Sequence, residues 1–291
     1  MQVIIHAGAH KTDEERLLKC LHKNTPMLGK AGVDVPPPRS YRKLFRDTLH
    51  AAKDVGLSLE AREVILDAVT TIEQPERLIL SNAGFFGTPK MAVSAGRFYS
   101  AADIRMPVIN EIFADDEVEL FFALRNPASF LPAVFKDSRV NTFADFTHGA
   151  DPRAMRWSEM FKRLRQALPR MGITVWCNED TPLIWGEVIR EMAGLDPTTP
   201  FDGEYMLLQE IMSKPGLQRF ESYLEQNPGM SEMQKRRVIA AFLDKFAYED
   251  EIEEEFDLPG WTEELIDDLT EAYDDDLYEI ERIPGVTLIT P

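Results

Sequence analysis

The residues best suited to chemistry lie near the amino terminus, within residues 6–15. That segment reads His6-Ala7-Gly8-Ala9-His10-Lys11-Thr12-Asp13-Glu14-Glu15. A Lys and a Thr in a Gly-containing loop suit an anion site, where charge and backbone N–H groups hold a phosphate or sulfate. The two imidazoles could serve as acid–base groups, or join the carboxylates in a metal cluster. Zinc needs three or four converging ligands, so we predict no metal site here.

The surrounding chain predicts an α/β fold that would place this segment beyond the carboxyl end of a first strand. Short apolar runs, typical of buried parallel strands, recur between amphipathic helical segments. The runs are Val3–Ile5, Leu78–Leu80, Val118–Leu124, Ile173–Trp176 and Val286–Ile289. We therefore expect a three-layer parallel sheet of about five strands flanked by helices. Ligands of such sheets bind where a strand turns into the following helix.

Three consecutive carboxylates complicate an anion site in this loop. Thr12 followed by Glu15 has the spacing of a capping box, in which both side chains satisfy free N–H groups of a helix start. Asp13 and Glu14 would then add two charges to the first turn. Repulsion of a phosphate by those charges would cost several kcal/mol at an effective dielectric constant of ~20. The pattern leaves two interpretations, a capped helix that binds nothing and a retained but altered anion site.

This chain resembles bacterial sulfotransferase-family proteins in the loop that binds phosphosulfate. Five residues match that loop in place: His6, Gly8, His10, Lys11 and Thr12. The resemblance implies a P-loop NTPase-like fold and a 3′-phosphoadenylyl sulfate cofactor. It also implies that Gly8, Lys11 and Thr12 hold the 5′-phosphosulfate of that donor. The Gly-Thr-Thr of the family is replaced here by acidic residues.

Two further segments resemble the same family and depart from it. Arg125-Asn126-Pro127 resembles the motif whose arginine binds the 3′-phosphate, but eight residues on the chain has Ala133 in place of the family's serine. After the second run, Ala83 stands where the resemblance expects a catalytic carboxylate. General-base catalysis needs a proton acceptor, and alanine has none.

Three hypotheses for function follow. The first is a sulfotransferase-like protein whose sulfuryl transfer to a hydroxyl or amine acceptor is weakened or lost, leaving a binding or scaffold role without catalysis. The second is a working enzyme with His10 and Lys11 as catalytic groups, acting on a small-molecule or carbohydrate acceptor. The third is a site for a cation or amine attracted by residues 13–15.

Composition restricts the partners. The chain has 291 residues and a formal charge of −18, most of it from an acidic segment at 249–281 that has no Lys or Arg. Such a surface would repel nucleic acid and anionic membranes, so we expect neither as a partner. The segment is either a solvated helix face or a docking surface for a basic protein. The two cysteines, the missing signal pattern and the missing apolar span favour a cytoplasmic location.

Changes of pattern along the chain predict three parts. Residues 1–200 alternate strands and helices and would form the sulfotransferase-like core. Residues 201–282 are almost wholly helical, interrupted by Pro-Gly pairs, and would form an acidic subdomain. Residues 283–291 would return to the core as the last strand.

Overall fold

The computed structural model describes residues 1–248 and 258–291, apart from the side chain of Val55. Its main sheet has six strands, all parallel, in the order β2-β3-β1-β6-β7-β8. The strands are β1 (Gln2–His6), β2 (Val33–Asp34), β3 (Arg77–Ser81), β6 (Glu117–Leu124), β7 (Gly172–Cys177) and β8 (Val286–Ile289). A separate antiparallel hairpin is made by β4 (Val93–Ser94) and β5 (Arg97–Phe98).

The predicted parallel α/β sheet flanked by helices is confirmed and is compatible with three layers, with one correction to the number of strands. All five predicted runs are strands, but the sheet has six strands rather than about five. The additional strand, β2, has only Val33 and Asp34 and pairs with the start of β3. Two residues are too few for an apolar run to be recognised.

Helices cover both faces of the sheet because successive strand residues point to opposite sides. Val3 and Ile5 belong to one large apolar cluster, and Ile4 between them belongs to another. Buried residues of the following helices join the first cluster: α3 (Pro38–Val55), α4 (Ala61–Val69), α5 (Ala102–Ile112), α6 (Pro127–Ser138), α7 (Phe143–Thr147), α8 (Trp157–Ala167) and α13 (Glu263–Glu281). Buried residues of these helices join the second: α1 (Arg16–Lys23), α2 (Thr25–Lys30), α9 (Thr181–Ala193) and α10 (Met206–Ile211).

The helical region after the core divides between two packing environments. Helices α11 (Lys214–Gln226) and α12 (Glu232–Phe246) form a small apolar cluster of their own with the end of α10. Helix α13 instead inserts Tyr273 and Ile280 into the first large cluster. It also places the buried Asp276 at the start of α8, where Asp276 Oδ2 accepts the Ser158 N–H at 3.1 Å.

Residues 249–257 of the acidic segment lie outside the described residues. Among the helices that the structure describes, none has the length and apolar character needed to cross a membrane.

Candidate functional site

A cavity of about 240 Å³ lies at the carboxyl end of β1. From β1 the chain passes to α1 on one face of the sheet, whereas from β3 and β6, the neighbours of β1, it continues on the other face. Such a change of direction opens the crevice in which α/β proteins bind ligands. The loop 6–15 and residues 81–83 line the cavity, together with Arg42 of α3 and Asp137 of α6. The sequence therefore located the loop correctly at this edge.

The loop does not form the predicted capping box. Helix α1 begins at Arg16, and Glu15 before it has left-handed backbone geometry and no capping side chain. Thr12 points inward, with 8% of its surface exposed, and its hydroxyl donates to the Ala9 carbonyl at 2.8 Å. The capping prediction was wrong because the Thr12 hydroxyl is bonded to the Ala9 carbonyl and does not accept an N–H group at the start of α1.

The loop backbone is unusually bent and leaves N–H groups without partners. Lys11, Glu14 and Glu15 have positive φ angles of 63°, 46° and 65°. Gly8 has φ of 50°, and a Cβ there would lie 3.3 Å from His6 Nε2, so a larger residue would be strained and would press on the His6 ring. Within the described chain, no acceptor is found for the N–H of Gly8 or for those of residues 11–15. Free N–H groups in a bent loop are the means by which proteins bind phosphate and sulfate.

The three carboxylates of the loop are paired within the protein. Glu14 and Glu15 are exposed and lie 3.7 Å from Arg16 and 2.5 Å from Arg42, respectively. Asp13 is partly buried, and its Oδ2 accepts the backbone N–H of Leu17 at 3.3 Å. The repulsion expected from the sequence is therefore reduced, because two of the charges lie at the surface next to guanidinium groups.

Lys11 is paired with a carboxylate from another element. Its Nζ lies 2.7 Å from Asp137 Oδ2, with 33% of the Lys11 side chain and 44% of the Asp137 side chain exposed. Partly exposed pairs of this kind contribute about 0.2–1 kcal/mol. An anionic ligand could exchange with Asp137 at little cost.

His6 presents an unsatisfied polar atom beside this loop. Only 3% of its surface is exposed, its Nδ1 lies 2.8 Å from the Ser81 hydroxyl, and its ring stacks on Trp176. Its Nε2 has no hydrogen-bond partner among the described residues. Burial lowers the pKa of His6, so the ring is neutral at pH 7. A buried polar atom without a partner is costly, and His6 is one of the residues that line the cavity.

His10 is held by Tyr99, which follows the β4–β5 hairpin. The buried Tyr99 hydroxyl accepts the His10 backbone N–H at 2.9 Å and lies 2.7 Å from His10 Nδ1. Since that oxygen already accepts one proton, we assign its own proton to a bond with Nδ1, which leaves the ring proton on Nε2. Burial lowers the pKa of His10 to about 4, with Asp137 opposing and Lys11 adding to the shift. With this assignment, neutral His10 presents an N–H donor at Nε2.

Arg125 supports the loop from the β6 side. Only 5% of its surface is exposed, its Nε donates to the Ser129 hydroxyl at 2.9 Å, and its Nη1 donates to the Lys11 carbonyl. Its own carbonyl accepts the Trp157 indole N–H at 2.9 Å. The guanidinium predicted to bind the 3′-phosphate thus holds the Lys11 carbonyl and the Ser129 hydroxyl.

The remaining predicted positions contribute little chemistry. Ala83 is exposed at the rim, and the preceding Asn82 accepts the Gly84 N–H through its side chain at 3.0 Å. In the described part of the chain, no group of three or more His, Cys, Asp or Glu residues could hold a metal ion.

Sequence reasoning missed Arg42, Tyr99 and Asp137, which bind loop residues from three distant elements. No local spacing signals such partners. Comparison with known proteins adds no further assignment, since no family model, no curated protein and no solved structure matches the chain. The sulfotransferase resemblance therefore depends on the motifs of the sequence alone and stays a prediction.

Proposed function

We propose that this chain is a sulfotransferase-like protein that holds 3′-phosphoadenylyl sulfate, or its bisphosphate product, in the cavity at the end of β1. Its transfer of the sulfuryl group to a hydroxyl or amine acceptor would be weakened or lost. The observation that carries the proposal is the loop itself. Residues 11–15, whose N–H groups have no acceptor among the described residues, line the cavity together with His6.

The cavity lining has two cations and four carboxylates, so anion binding depends on exchange within the existing ion pairs. Lys11 and Arg42 are the cations of the cavity, and each is held by a protein carboxylate, from Asp137 and Glu15. A phosphate or sulfate that replaced Asp137 would exchange one partly exposed ion pair for another. It would also satisfy N–H groups that have no other acceptor, which favours the bound state.

Proton transfer is the weaker part of the predicted reaction. Sulfuryl transfer to a hydroxyl requires a group that accepts the hydroxyl proton near the operating pH. His10 has a pKa of about 4 and its Nδ1 is occupied by Tyr99, while Ala83 offers no acceptor. These features support a weakened or lost transfer rather than a relocated base at His10.

A binding protein without catalysis is the alternative. The pairing of both cavity cations with protein carboxylates favours it, because those carboxylates occupy the places that a donor would take. The two functions differ in whether labelled sulfate ever leaves the donor.

Calorimetric titration with 3′-phosphoadenosine 5′-phosphate tests the proposal. We expect micromolar binding by the wild type, about −8 kcal/mol, and at least tenfold weaker binding by Lys11→Ala. Asp137→Asn should bind several-fold more tightly because it releases Lys11. Lys30→Ala, on the exposed side of α2, is the matched control and should bind as the wild type does.

Failure of both the wild type and Asp137→Asn to bind this nucleotide would refute the nucleotide site. If the wild type binds, transfer from a radiolabelled donor to a panel of hydroxyl and amine acceptors separates the two functions. Transfer that disappears in Lys11→Ala would identify an enzyme. Binding without transfer would identify a protein that uses the nucleotide only as a ligand.

A further inference from the structure

A second, smaller cleft adjoins the cavity on the side of β3 and has a different charge. It is formed by α3, by the start of α5 and by residues 82–85, and its volume is about 30 Å³. Four cations line it, and no carboxylate does, in a chain whose net charge is −18. The cations are Arg42, Arg46, Lys53 and Arg105, and His50 lies among them.

Helix geometry explains the arrangement. Basic residues recur on α3 at intervals of three or four positions, so they share one side of the helix. They are Arg42, Arg46, His50 and Lys53. The stretch from Arg42 to Lys53 extends about 16 Å at 1.5 Å per residue. Phe45 and Leu49, buried between them, fix that side of the helix against the core. The charges therefore form a row beside the cavity rather than a scattered surface population.

The row is continuous with the cavity. Arg42 and Asn82 line both spaces. Arg42 already holds one anionic group there, since the Glu15 carboxylate lies 2.5 Å from its guanidinium. A carboxylate of the protein itself therefore already binds a cation at the point where the cavity and the row meet.

The other cations are available for a ligand to different extents. Among the residues that the structure describes, the one ion-pair partner of Arg46 is its neighbour Asp47, and 63% of the Arg46 side chain is exposed. The side chain of Lys53 has no hydrogen bond or ion pair among the described residues. Arg105 is partly buried and donates to the Phe85 carbonyl at 3.1 Å, so no carboxylate neutralises it. A space of about 30 Å³ admits one small polar group, comparable to a single water molecule.

We infer that this cleft is an anion subsite, and that the second ligand of the cavity, the acceptor, carries sulfate or carboxylate groups beside its hydroxyl groups. The inference deepens the proposed function and rests on it. The acceptor approaches along α3, places one anionic group against Arg46, Lys53 and Arg105, and extends toward Arg42 at the mouth of the cavity. A neutral acceptor leaves Lys53 and Arg105 without a carboxylate partner among the described residues. The rest of the chain is acidic and repels such a ligand, so the row also directs it to the cavity.

Calorimetry with three tetrasaccharides tests the inference. A heparin-derived tetrasaccharide presents sulfates and carboxylates, tetragalacturonate presents carboxylates alone, and maltotetraose is neutral. We expect the wild type to bind at least one anionic probe and not maltotetraose. Arg46→Gln/Lys53→Gln should weaken that binding at least tenfold, and Arg46→Lys/Lys53→Arg should restore it. The preferred anionic probe identifies the group that is bound.

The control removes the same charge elsewhere. Lys19→Gln/Lys30→Gln changes two exposed lysines of α1 and α2, on the opposite face of the sheet, and should change the affinity less than twofold. Glu15→Gln should strengthen binding several-fold, because it frees Arg42. Equal weakening by the control and the cleft variants would overturn the inference, as would full binding by Arg46→Gln/Lys53→Gln.

The two proposals fail in different experiments. A wild type that binds 3′-phosphoadenosine 5′-phosphate but none of the tetrasaccharides overturns the anion subsite and leaves the nucleotide site intact. A wild type that binds an anionic tetrasaccharide through Arg46 and Lys53 but not the nucleotide overturns the proposed function alone.

Discussion

Acidification from pH 8 to pH 5 should destabilise the wild type by about 2 kcal/mol more than the His10→Asn variant. Burial lowers the pKa of His10 to about 4 in the folded protein, whereas an unfolded histidine has a pKa of about 6.5. Between these values the unfolded chain binds a proton that the folded chain does not. The stability contributed by neutral His10 is therefore complete above pH 6.5 and is lost as the pH falls toward 4.

The magnitude follows from the two pKa values. At pH 5 an unfolded imidazole is about 97% protonated and a folded one with a pKa of about 4 is about 9% protonated. The ratio of the two binding polynomials is about 30, which corresponds to about 2 kcal/mol. His6 is shifted in the same direction by burial, but it is present in both proteins and cancels in the comparison.

Urea unfolding at pH 8 and pH 5 measures this difference. Asn at position 10 keeps an oxygen that can accept the Tyr99 proton, so the variant should fold. His148→Asn is the control, because His148 is exposed and its left-handed backbone (φ 54°) suits asparagine. The control should keep the pH dependence of the wild type. If His10→Asn keeps it as well, His10 is not the buried neutral group described above.

Two further predictions concern packing and capping. Gly194→Ala should lower the free energy of unfolding by about 2 kcal/mol or more, because its φ is +64° and the new Cβ would lie 2.7 Å from Arg77 Nε. Gly149 has a similar φ of +73°, but no atom lies near a Cβ placed there, so Gly149→Ala is the control. Thermal melts should show a smaller loss of stability for Gly149→Ala than for Gly194→Ala. Equal losses would show that the contact with Arg77 is not the cause. Asp276→Ala should cost about 1–3 kcal/mol in urea unfolding, since the Ser158 N–H loses its buried acceptor. Burial raises the pKa of Asp276. The neutral variant Asp276→Asn keeps an oxygen that can accept the Ser158 N–H, so it should lose less stability than Asp276→Ala. Equal losses of stability would argue against the capping role.

The sequence predicted the sheet well because its long strands are buried on both faces. Strand β6, with its apolar run from Val118 to Leu124, is visible without any tertiary information. Strand β2 was missed because its second residue, Asp34, is polar yet 1% exposed. Its carboxylate accepts the Thr71 hydroxyl at 2.5 Å and the Thr71 N–H at 2.6 Å. Pairing of this kind is decided by tertiary contacts and leaves no periodic pattern.

The candidate site could be located from the sequence but not built from it. A first strand followed by Gly8, Lys11 and Thr12 was enough to place the loop at the edge of the sheet. The state of each side chain depends on partners from distant elements, such as Tyr99 for His10 and Asp137 for Lys11. The capping pattern failed for the same reason, since a local rule cannot anticipate which carbonyl a buried hydroxyl will find.

The backbone geometry of the loop suggests a structural role for its acidic residues. Left-handed geometry costs about 1–2 kcal/mol for each residue other than glycine, and Lys11, Glu14 and Glu15 all adopt it. Here side-chain contacts hold the bends, from Arg125 to the Lys11 carbonyl and from Arg42 to Glu15. The carboxylate of Glu15 thus helps to keep the N–H groups of residues 11–15 out of α1, in the condition that an anion requires. On this reasoning the acidic residues would shape the proposed anion site instead of closing it, and the affinity of Asp137→Asn for the nucleotide tests how much of that site remains.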